Sequence, residues 1–561
     1  MKRKITPVVF VIFLIFIVTG VGILSAMIKR YMPSKETMEG TEYFQLTASD
    51  QAGLVIDQEL KEEKVKIIDG AYYIEDSVVS SYINGRFYWD EAQQVMLYTL
   101  PEEEFQILPE QTSYETSAGT QNTEYTIIKQ MDGSFFLNLE FVGQYTDMEY
   151  EVYENPARIV IQTNWDSQQM VTAEKDGEIR EKGGIKSTIV DPIEKGEQLY
   201  LIEELENWSK VATKDGYCGY IQKEKLSEAE TYSIPHESKV PEYTNIQKDY
   251  KINLVWHQVT NAEGNAALSQ VLANAVGVNT ISPTWFSVID NSGTISSLAS
   301  AEYVNLAHSM GIEVWGLIDN FNENTDNLTL LSSTAARKNI IQQLMNQAAA
   351  VGLDGINLDF EAIREEQAPH YVQFIRELSI ACRKAGLVFS IDDPVPTYTK
   401  YYDRKEQGIV ADYVIVMGYD EHHYGSTEAG SVASIGFVRD GVEETLKEVP
   451  ANKVIQGIPF YTRVWIEPYG SGGLTSEALG MDRTTNYIAE HGMDTYWDES
   501  VGQTVASSEE EDGIHTIWVE DEQSIGEKMK LVQEYQLAGV AAWKLGFERA
   551  SIWPVIAQYL Q

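Results

Sequence analysis

The stretch DGINLDFE at residues 354–361 decides how the C-terminal half of this chain is interpreted. It has the length and apolar content of a short buried strand. Because side chains alternate between the two faces of a strand, Asn357, Asp359 and Glu361 share one face, and the apolar residues between them share the other. The stretch therefore predicts a strand that carries two carboxylates at its carboxyl end.

Seven further apolar runs surround this strand, and they begin near residues 252, 278, 312, 387, 413, 453 and 539. The segments between them, such as residues 333–352 and 368–386, have helical periodicity and end in glycine. Strands that alternate with helices pair in parallel. Residues 250–561 are therefore predicted to form an α/β fold, a (β/α)₈ TIM barrel, for which this length is normal.

In such a barrel the reactive groups project from the carboxyl ends of the strands, where Asp359 and Glu361 are predicted to lie. Two carboxylates at close range cannot both ionise comfortably, so the pKa of one of them is raised. That group can hold a proton near neutral pH and serve as a general acid.

The motif resembles the Asp-x-x-Asp-x-Asp-x-Glu signature of family 18 glycoside hydrolases, and the likeness covers residues 250–560. The resemblance implies that Glu361 protonates the glycosidic oxygen while Asp359 orients the substrate's 2-acetamido group, which attacks the anomeric carbon with retention of configuration. Asn357 departs from the pattern, because the family has its middle Asp there. An amide can still hold Asp359 by hydrogen bonding, and the spore-cortex and peptidoglycan-acting subgroup often has this change.

Two further motifs support the resemblance. Met417-Gly-Tyr419-Asp420 matches the family's Met-x-Tyr-Asp motif, which implies that Tyr419 is a catalytic residue and that Met417 and Asp420 belong to the substrate site. Trp543 matches the aromatic floor under the sugar, where a flat ring packs on a pyranose. Further sugar contacts, with core packing as the alternative, are predicted for Trp285, Phe286, Tyr461 and Trp465.

No metal or cofactor is predicted. His422 and His423 follow Asp420, but no third ligand stands out and the implied reaction needs no ion. Asp392 and Asp393 end the fifth strand, where they either shape the cleft or serve as helix-capping or solvated groups. No phosphate-cradling or dinucleotide fingerprint occurs.

Two small β-rich modules are predicted before the barrel. Residues 61–156 alternate in the manner of strands and resemble the N-terminal stalk domain of copper amine oxidases. Residues 157–228 resemble a bacterial SH3 domain, a type commonly attached to cell-wall hydrolases. That second resemblance rests on Gly196, Glu197, Trp208, Val211, Gly216, Gly219, Tyr220 and Ile221. Linkers are predicted at residues 31–60 and 229–249.

The first thirty residues predict a membrane anchor. Lys2, Arg3 and Lys4 precede an uncharged apolar run that is about as long as a membrane-spanning helix requires. The basic N-terminus predicts an inside start, so the chain is predicted to be a single-pass cell-membrane protein with its C-terminal domains outside.

The composition of the chain limits the classes of molecule that it is expected to bind. The chain of 561 residues has a formal net charge of −43, which repels nucleic acid and favours a neutral or cationic partner. Its two cysteines, Cys218 and Cys382, fall in different predicted modules, so both are predicted to be free and buried.

These observations predict a glycosidase that acts on β-linked N-acetylglucosamine polymers, with peptidoglycan ahead of chitin-like glycans. One alternative is a non-catalytic glycan-binding or scaffold protein, against which the retention of Glu361, Asp359 and Tyr419 argues. Another is an endo-β-N-acetylglucosaminidase acting on glycoprotein glycans, which would use the same chemistry.

Overall fold

The computed structural model describes residues 6–239, 241–470 and 472–560, and only the backbone of residues 6–9, 20, 22–29 and 398. The chain divides into two compact units. The first comprises residues 1–89 and 106–240, and the second comprises residues 90–105 and 241–561.

The second unit contains the predicted barrel. Its eight parallel strands are β1 (Ile252–His257), β2 (Thr280–Val288), β3 (Glu313–Asp319), β4 (Gly355–Asp359), β5 (Val388–Pro394), β6 (Tyr413–Met417), β7 (Val454–Pro459) and β8 (Gly539–Trp543). Each strand pairs with its neighbour in sequence, and β8 pairs with β1, so the sheet closes. The prediction of eight parallel strands in a TIM barrel is confirmed.

Helices follow the strands and cover the outside of the barrel. Their bounds are Ala262–Ala266, Leu268–Val271, Ala301–Ser309, Asn327–Ser332, Thr334–Val351, Ala368–Ala385, Arg404–Val410, Ile435–Leu446, Glu522–Glu534 and Ile552–Tyr559. The helix Thr334–Val351, which precedes β4, starts where the Ser333 side chain accepts a hydrogen bond from the Ala336 amide. It ends at Gly352, whose φ of 79° favours glycine.

An insertion between β7 and β8, residues 461–519, forms an antiparallel five-stranded sheet. In sheet order its strands are Thr475–Gly480, Tyr461–Pro468, Gly513–Val519, Gln503–Glu509 and Asp494–Asp498. The helix Met481–Glu490 follows the edge strand and packs on this sheet. We call residues 461–519 the insertion subdomain.

Residues 90–105 belong to the barrel unit, although they fall inside the predicted 61–156 module. The strand Val95–Thr99 lies in this segment. Arg383, in the last turn of the barrel helix Ala368–Ala385, donates to the Pro101 carbonyl, and Lys338 lies 3.3 Å from a Glu104 oxygen. These side-chain contacts between residues far apart in sequence could not be predicted from strand periodicity.

The first unit contains two seven-stranded sheets. In sheet order the strands of the first are Glu149–Glu154, Ala157–Gln162, Gln51–Ile56, Glu59–Ile68, Ala71–Glu75, Ser134–Asn138 and Ile128–Met131. Those of the second are Ile189–Ile193, Gly177–Arg180, Cys218–Gln222, Trp208–Ala212, Gln198–Glu204, Gln168–Thr172 and Glu230–Tyr232. Shorter elements of this unit are the helices Gly40–Tyr43, Asp76–Val78 and Leu139–Gln144, and the strands Ser113–Thr116 and Gly119–Asn122.

Two predicted boundaries in this unit are corrected. The predicted linker at residues 31–60 contains the strand Gln51–Ile56, in which Leu54 and Val55 are buried. This strand was missed because the short apolar run that follows Gln51 lacks the alternation of a half-buried strand. The strand Ala157–Gln162, predicted to open the second module, pairs in parallel with Gln51–Ile56 in the first sheet.

The SH3-like resemblance of residues 157–228 stays a prediction. Val211 and Ile221 lie in the core of this region, whereas Trp208 and Tyr220 are half-buried. Cys218 and Cys382 are both free, as predicted, although only Cys382 is fully buried.

The membrane prediction requires correction. The predicted anchor lies partly outside the described residues, and the helix there spans Thr6–Tyr31. Among the described residues, no helix is both long enough and apolar enough to cross a bilayer, which takes about 20 apolar residues. This finding contradicts the predicted single-pass anchor and the cell-membrane location derived from it.

Candidate active site

Strand β4 brings its polar residues into the barrel interior, as the alternation predicts. Asn357 is fully buried, and its carbonyl oxygen accepts hydrogen bonds from Trp256 Nε1 and Ser282 Oγ, both at 2.9 Å. Its amide nitrogen donates to Ser390 Oγ at 3.1 Å and to Asp392 Oδ1 at 2.7 Å. Asn357 thus uses its whole hydrogen-bonding capacity and fixes Asp392 rather than Asp359.

Asp359 is buried at the end of β4 and is surrounded by other acids. Within the described residues its Oδ1 atom has no hydrogen-bond partner. Burial raises its pKa well above the usual range, and the charges of Asp392, Glu361 and Asp319 raise it further. Burial also raises the pKa of Asp392 well above its usual range, against the hydrogen bond from Asn357. Asp359 and Asp392 therefore form a buried pair that keeps its protons to a higher pH than free Asp does.

Glu361 is half-buried just beyond β4, and its backbone is clamped by Asn320. The Glu361 amide donates to Asn320 Oδ1 at 3.0 Å, and Asn320 Nδ2 donates back to the Glu361 carbonyl at 3.0 Å. Burial raises the pKa of Glu361, and the charges of Asp420 and Asp319 add to this effect. The backbone of Glu361 is thus fixed, and its carboxyl group stays protonated to a higher pH than that of a free Glu.

Strand β6 delivers Tyr419 and Asp420. Tyr419 is close enough for Asp392, Asp359 and Glu361 to raise its pKa, after burial, well above 10.0. Gly457 on β7 permits this packing, since a Cβ there would meet the Val416 carbonyl at 2.6 Å and the Tyr419 ring at 3.3 Å. Asp420 is exposed and accepts a hydrogen bond from the Tyr461 hydroxyl at 2.5 Å.

The half-buried Trp543 ends β8, beside this cluster. Its ring centroid lies 6.1 Å from that of Trp256, which is itself 6.4 Å from the ring of Tyr419. A partly open aromatic ring beside an acid with a raised pKa and a pair of buried carboxyl groups suits a site that binds and cleaves a sugar.

Comparison with known families decides the identity of this barrel. Residues 268–548 match the family model described as glycosyl hydrolases family 18, which is half of the chain. The chain belongs to glycoside hydrolase family 18. It is therefore a glycosidase.

Individual relatives agree with this assignment. The glycosylase YvbX of Bacillus subtilis is 30% identical over 297 residues, which cover 50% of this chain and 83% of that protein. The cortical fragment-lytic enzyme of Bacillus subtilis is 28% identical over 236 residues, 41% of this chain and 54% of that one. The chain thus spans about half the length of some of the curated relatives that it matches.

Among solved structures, the chitinase of Chromobacterium violaceum superposes with a TM-score of 0.50 at 25% identity. The likeness covers 55% of this chain and 99% of that protein.

Within the family 18 barrel, one predicted substrate contact is corrected. Trp285 is only 2% exposed, donates from Nε1 to Asn265 at 2.8 Å, and packs edge-on against Tyr303 in the core. The ladder between β2 and β3 shifts register beside it, between Thr284 and Phe286. The alternative given for Trp285, core packing, is the one that the structure shows.

The other predicted positions divide between site and core. Phe286 and Trp465 are buried, and Trp465 Nε1 donates to the Gly430 carbonyl. Tyr461 joins the site through Asp420. Met417 is buried at the end of β6 and contributes packing there.

Three contributors to the family 18 site were missed or undervalued by the sequence analysis: Asp319, Asn320 and Asp392. Asp319 ends β3, Asn320 follows it, and Asp392 lies two residues before the end of β5, so their position near carboxyl ends of strands was the signal that could have found them. His422 and His423 each contact a backbone carbonyl through Nδ1, of Ser431 and Tyr424 respectively.

Proposed function

We propose that this barrel hydrolyses β-linked N-acetylglucosamine polymers by a retaining mechanism in which the substrate's acetamido group is the nucleophile. The observation that carries the proposal is that Glu361, whose pKa is raised by burial, lies next to a buried Asp359 that has an unused carboxylate oxygen. Family membership supports glycan hydrolysis in general.

In the first step Glu361 gives its proton to the glycosidic oxygen while the acetamido carbonyl oxygen attacks the anomeric carbon. The bond to the leaving sugar breaks and a cyclic oxazolinium ion forms. Asp359 accepts a hydrogen bond from the acetamido N–H and stabilises the positive charge that develops, and the Tyr419 hydroxyl donates to the acetamido carbonyl oxygen. In the second step Glu361, now a carboxylate, takes a proton from water as the water opens the ring.

The family has an Asp at the position of Asn357, and Asp392 supplies the buried carboxyl group in its place. Asn357 aligns Asp392 through the 2.7 Å hydrogen bond, and Asp392 acts on Asp359 as a like charge. When Asp392 carries the negative charge of the pair, Asp359 is protonated in the free enzyme. When substrate arrives, Asp359 gives this proton to Asp392 and becomes the carboxylate that accepts the acetamido N–H.

Peptidoglycan is the proposed polymer, and chitin-like glycans come second. The name of the cortical fragment-lytic enzyme supports a cell-wall glycan, and the name of the Chromobacterium violaceum protein supports chitin. The resemblance of residues 157–228 to wall-associated SH3 domains also favours the wall, and we propose that these N-terminal modules contact it.

Exposed aromatic rings on the loops after the strands are proposed to bind sugars on either side of Trp543. Phe321, two residues after the end of β3, is 56% exposed, and Tyr424, after β6, is 77% exposed. A ring that is open to solvent can stack on a pyranose, which a buried ring such as Trp285 cannot.

The test is release of reducing ends by the full chain from N-acetylated peptidoglycan and from chitin oligosaccharides, with Glu361→Gln measured in parallel. We expect cleavage of peptidoglycan by the wild type and none by Glu361→Gln. Cleavage of chitin alone would change the substrate but keep the mechanism. Cleavage of neither polymer, with binding retained, would overturn the proposed substrate class.

A further inference from the structure

A cluster of histidine and acidic side chains lies in the insertion subdomain, outside the residues assigned to the glycosidase reaction. His491 caps the helix Met481–Glu490. Glu510 and His515 stand on the two sides of the turn that joins the strands Gln503–Glu509 and Gly513–Val519. One ligand atom from each of the three side chains lies within 4.8 Å of the others.

The existing contacts hold these side chains together. His491 Nδ1 lies 2.9 Å from Glu510 Oε1. His515 is 3% exposed, and its two ring nitrogens meet the Tyr487 hydroxyl at 2.7 Å and Asp512 Oδ1 at 3.0 Å. The ring of Tyr487 stacks on that of His491 with centroids 4.0 Å apart. The orientation of both imidazoles is thus fixed before any ion arrives, as it is in metal sites whose ligands have outer hydrogen-bond partners.

We propose that His491, Glu510 and His515 bind a divalent transition-metal ion of the zinc class. Two imidazoles and one carboxylate form a ligand set that suits zinc, whereas calcium and magnesium prefer oxygen ligands alone. Asp512 or water supplies the fourth position of a tetrahedral site. With ligand bonds of about 2.0 to 2.2 Å, the ligand atoms of a tetrahedral site lie about 3.4 Å from one another. Small side-chain rotations bring the three ligand atoms to this separation.

The surrounding charge favours a cation. Glu509, Glu510, Glu511 and Asp512 are consecutive, so the tip of the hairpin carries four acidic side chains. A divalent ion bound there offsets their mutual repulsion. It also joins the end of the helix to the tip of the hairpin, two elements that are otherwise linked by side-chain hydrogen bonds.

The bound ion would stiffen a subdomain that reaches the active site. The strand Tyr461–Pro468 pairs directly with Gly513–Val519, the strand that carries His515. Tyr461, the first residue of the strand Tyr461–Pro468, donates a hydrogen bond to Asp420. The ion is therefore a structural element of this subdomain, and the glycosidase reaction proposed above requires no chemistry from it.

The test is titration of zinc into the chelator-treated full chain by calorimetry, with the thermal transition recorded with and without the ion. We expect one ion per chain, a dissociation constant in or below the micromolar range, and a raised transition temperature, because a ligand of the native state stabilises it. Calcium at the same concentration should bind at least tenfold more weakly. Absence of zinc binding at 1:1 stoichiometry would overturn the proposal.

Substitutions then locate the ion. His491→Ala and Glu510→Gln, both at partly exposed positions, should each weaken zinc binding at least tenfold while the apo protein keeps its circular dichroism spectrum. His423→Ala, on an exposed loop of the barrel, is the matched control and should bind as the wild type does. Zinc binding that is unchanged in His491→Ala and lost in His423→Ala would place the ion elsewhere and overturn the assignment.

Discussion

Two sets of buried carboxylates in the barrel unit differ in what lies beside them. Glu377, on the outer helix Ala368–Ala385, meets the fully buried Arg337 at 2.8 Å, and Glu406 meets Arg376 at 2.8 Å. At the mouth, Asp359 and Asp392 face each other and Glu361. An acid beside a guanidinium stabilises the fold as an ion, whereas acids that face acids must retain protons, which a glycosidase can use.

The adjacent residues Asp392 and Asp393 show the same contrast on one strand. They point to opposite faces of β5 because side chains alternate. Asp393 Oδ2 lies 3.2 Å from Arg404 Nε, and its pKa is raised by burial only to about 6, since Arg404 opposes the rise. Asp392 has Asn357 instead of a cation, and burial raises its pKa well above the usual range. One residue stabilises the outer layer and the other belongs to the site.

The largest effect is expected for Glu361→Gln, which replaces the proton-donating carboxyl group by an amide of nearly the same shape. Loss of a general acid should lower kcat by about 10³-fold, while the affinity for the glycan stays within about twofold. Glu365→Gln, at an exposed position four residues on, is the control and should remain fully active. A loss of less than tenfold in kcat would show that another group is the acid.

Next in size is Glu377→Gln, which leaves Arg337 buried beside a neutral group. Breaking such a pair should reduce the free energy of unfolding by about 3 kcal/mol or more, as measured from the urea midpoint. Specific activity of the folded protein should not change. Glu534→Gln breaks the exposed pair with Arg439 and should cost far less, because solvent screens that pair. Equal losses in the free energy of unfolding for the two substitutions would show that the buried ion pair stabilises the fold no more than the exposed one does.

Asp359→Asn tests the orienting carboxylate. An amide can still meet the acetamido group but cannot offset its positive charge, so kcat should fall by about 10²-fold. Substrates whose acetamido group is replaced by a free amine should be poor for the wild type and should lose little more in the variant. If Asp359→Asn lowered the rates on both substrates by the same factor, the carboxylate would not act through the acetamido group.

Asp392→Asn is expected to change the rate least and to alter mainly its dependence on pH. Removing a like charge lowers the pKa of Asp359, so Asp359 becomes a carboxylate at lower pH. The acidic limb of kcat/KM should therefore move to lower pH by about one unit or more. Asp393→Asn, next to it on the opposite face, should leave the limb in place. Two identical pH profiles for these variants would exclude Asp392 as the partner of Asp359.

Part of this site was predictable from sequence, because its elements are local. The alternation in residues 354–361 is enough to place Asp359 and Glu361 on one face, and the eight apolar runs are enough to predict the barrel. The role of Asp392 depends on which side chains β4 and β5 turn toward each other, and that of Asn320 on the loop after β3. For Trp285 the sequence left sugar contact and core packing open, because the face of β2 on which it lies depends on a register shift between Thr284 and Phe286.

The most direct measurement for the central claim is the anomeric configuration of the first product. Cleavage of an N-acetylated chitin or peptidoglycan oligosaccharide by the full chain should be followed by proton NMR in the first minutes, before mutarotation equilibrates the anomers. Attack by the substrate's own acetamido group predicts that the β-anomer appears first. Initial formation of the α-anomer would mean that water attacks directly, and it would contradict the roles proposed here for Asp359 and Glu361.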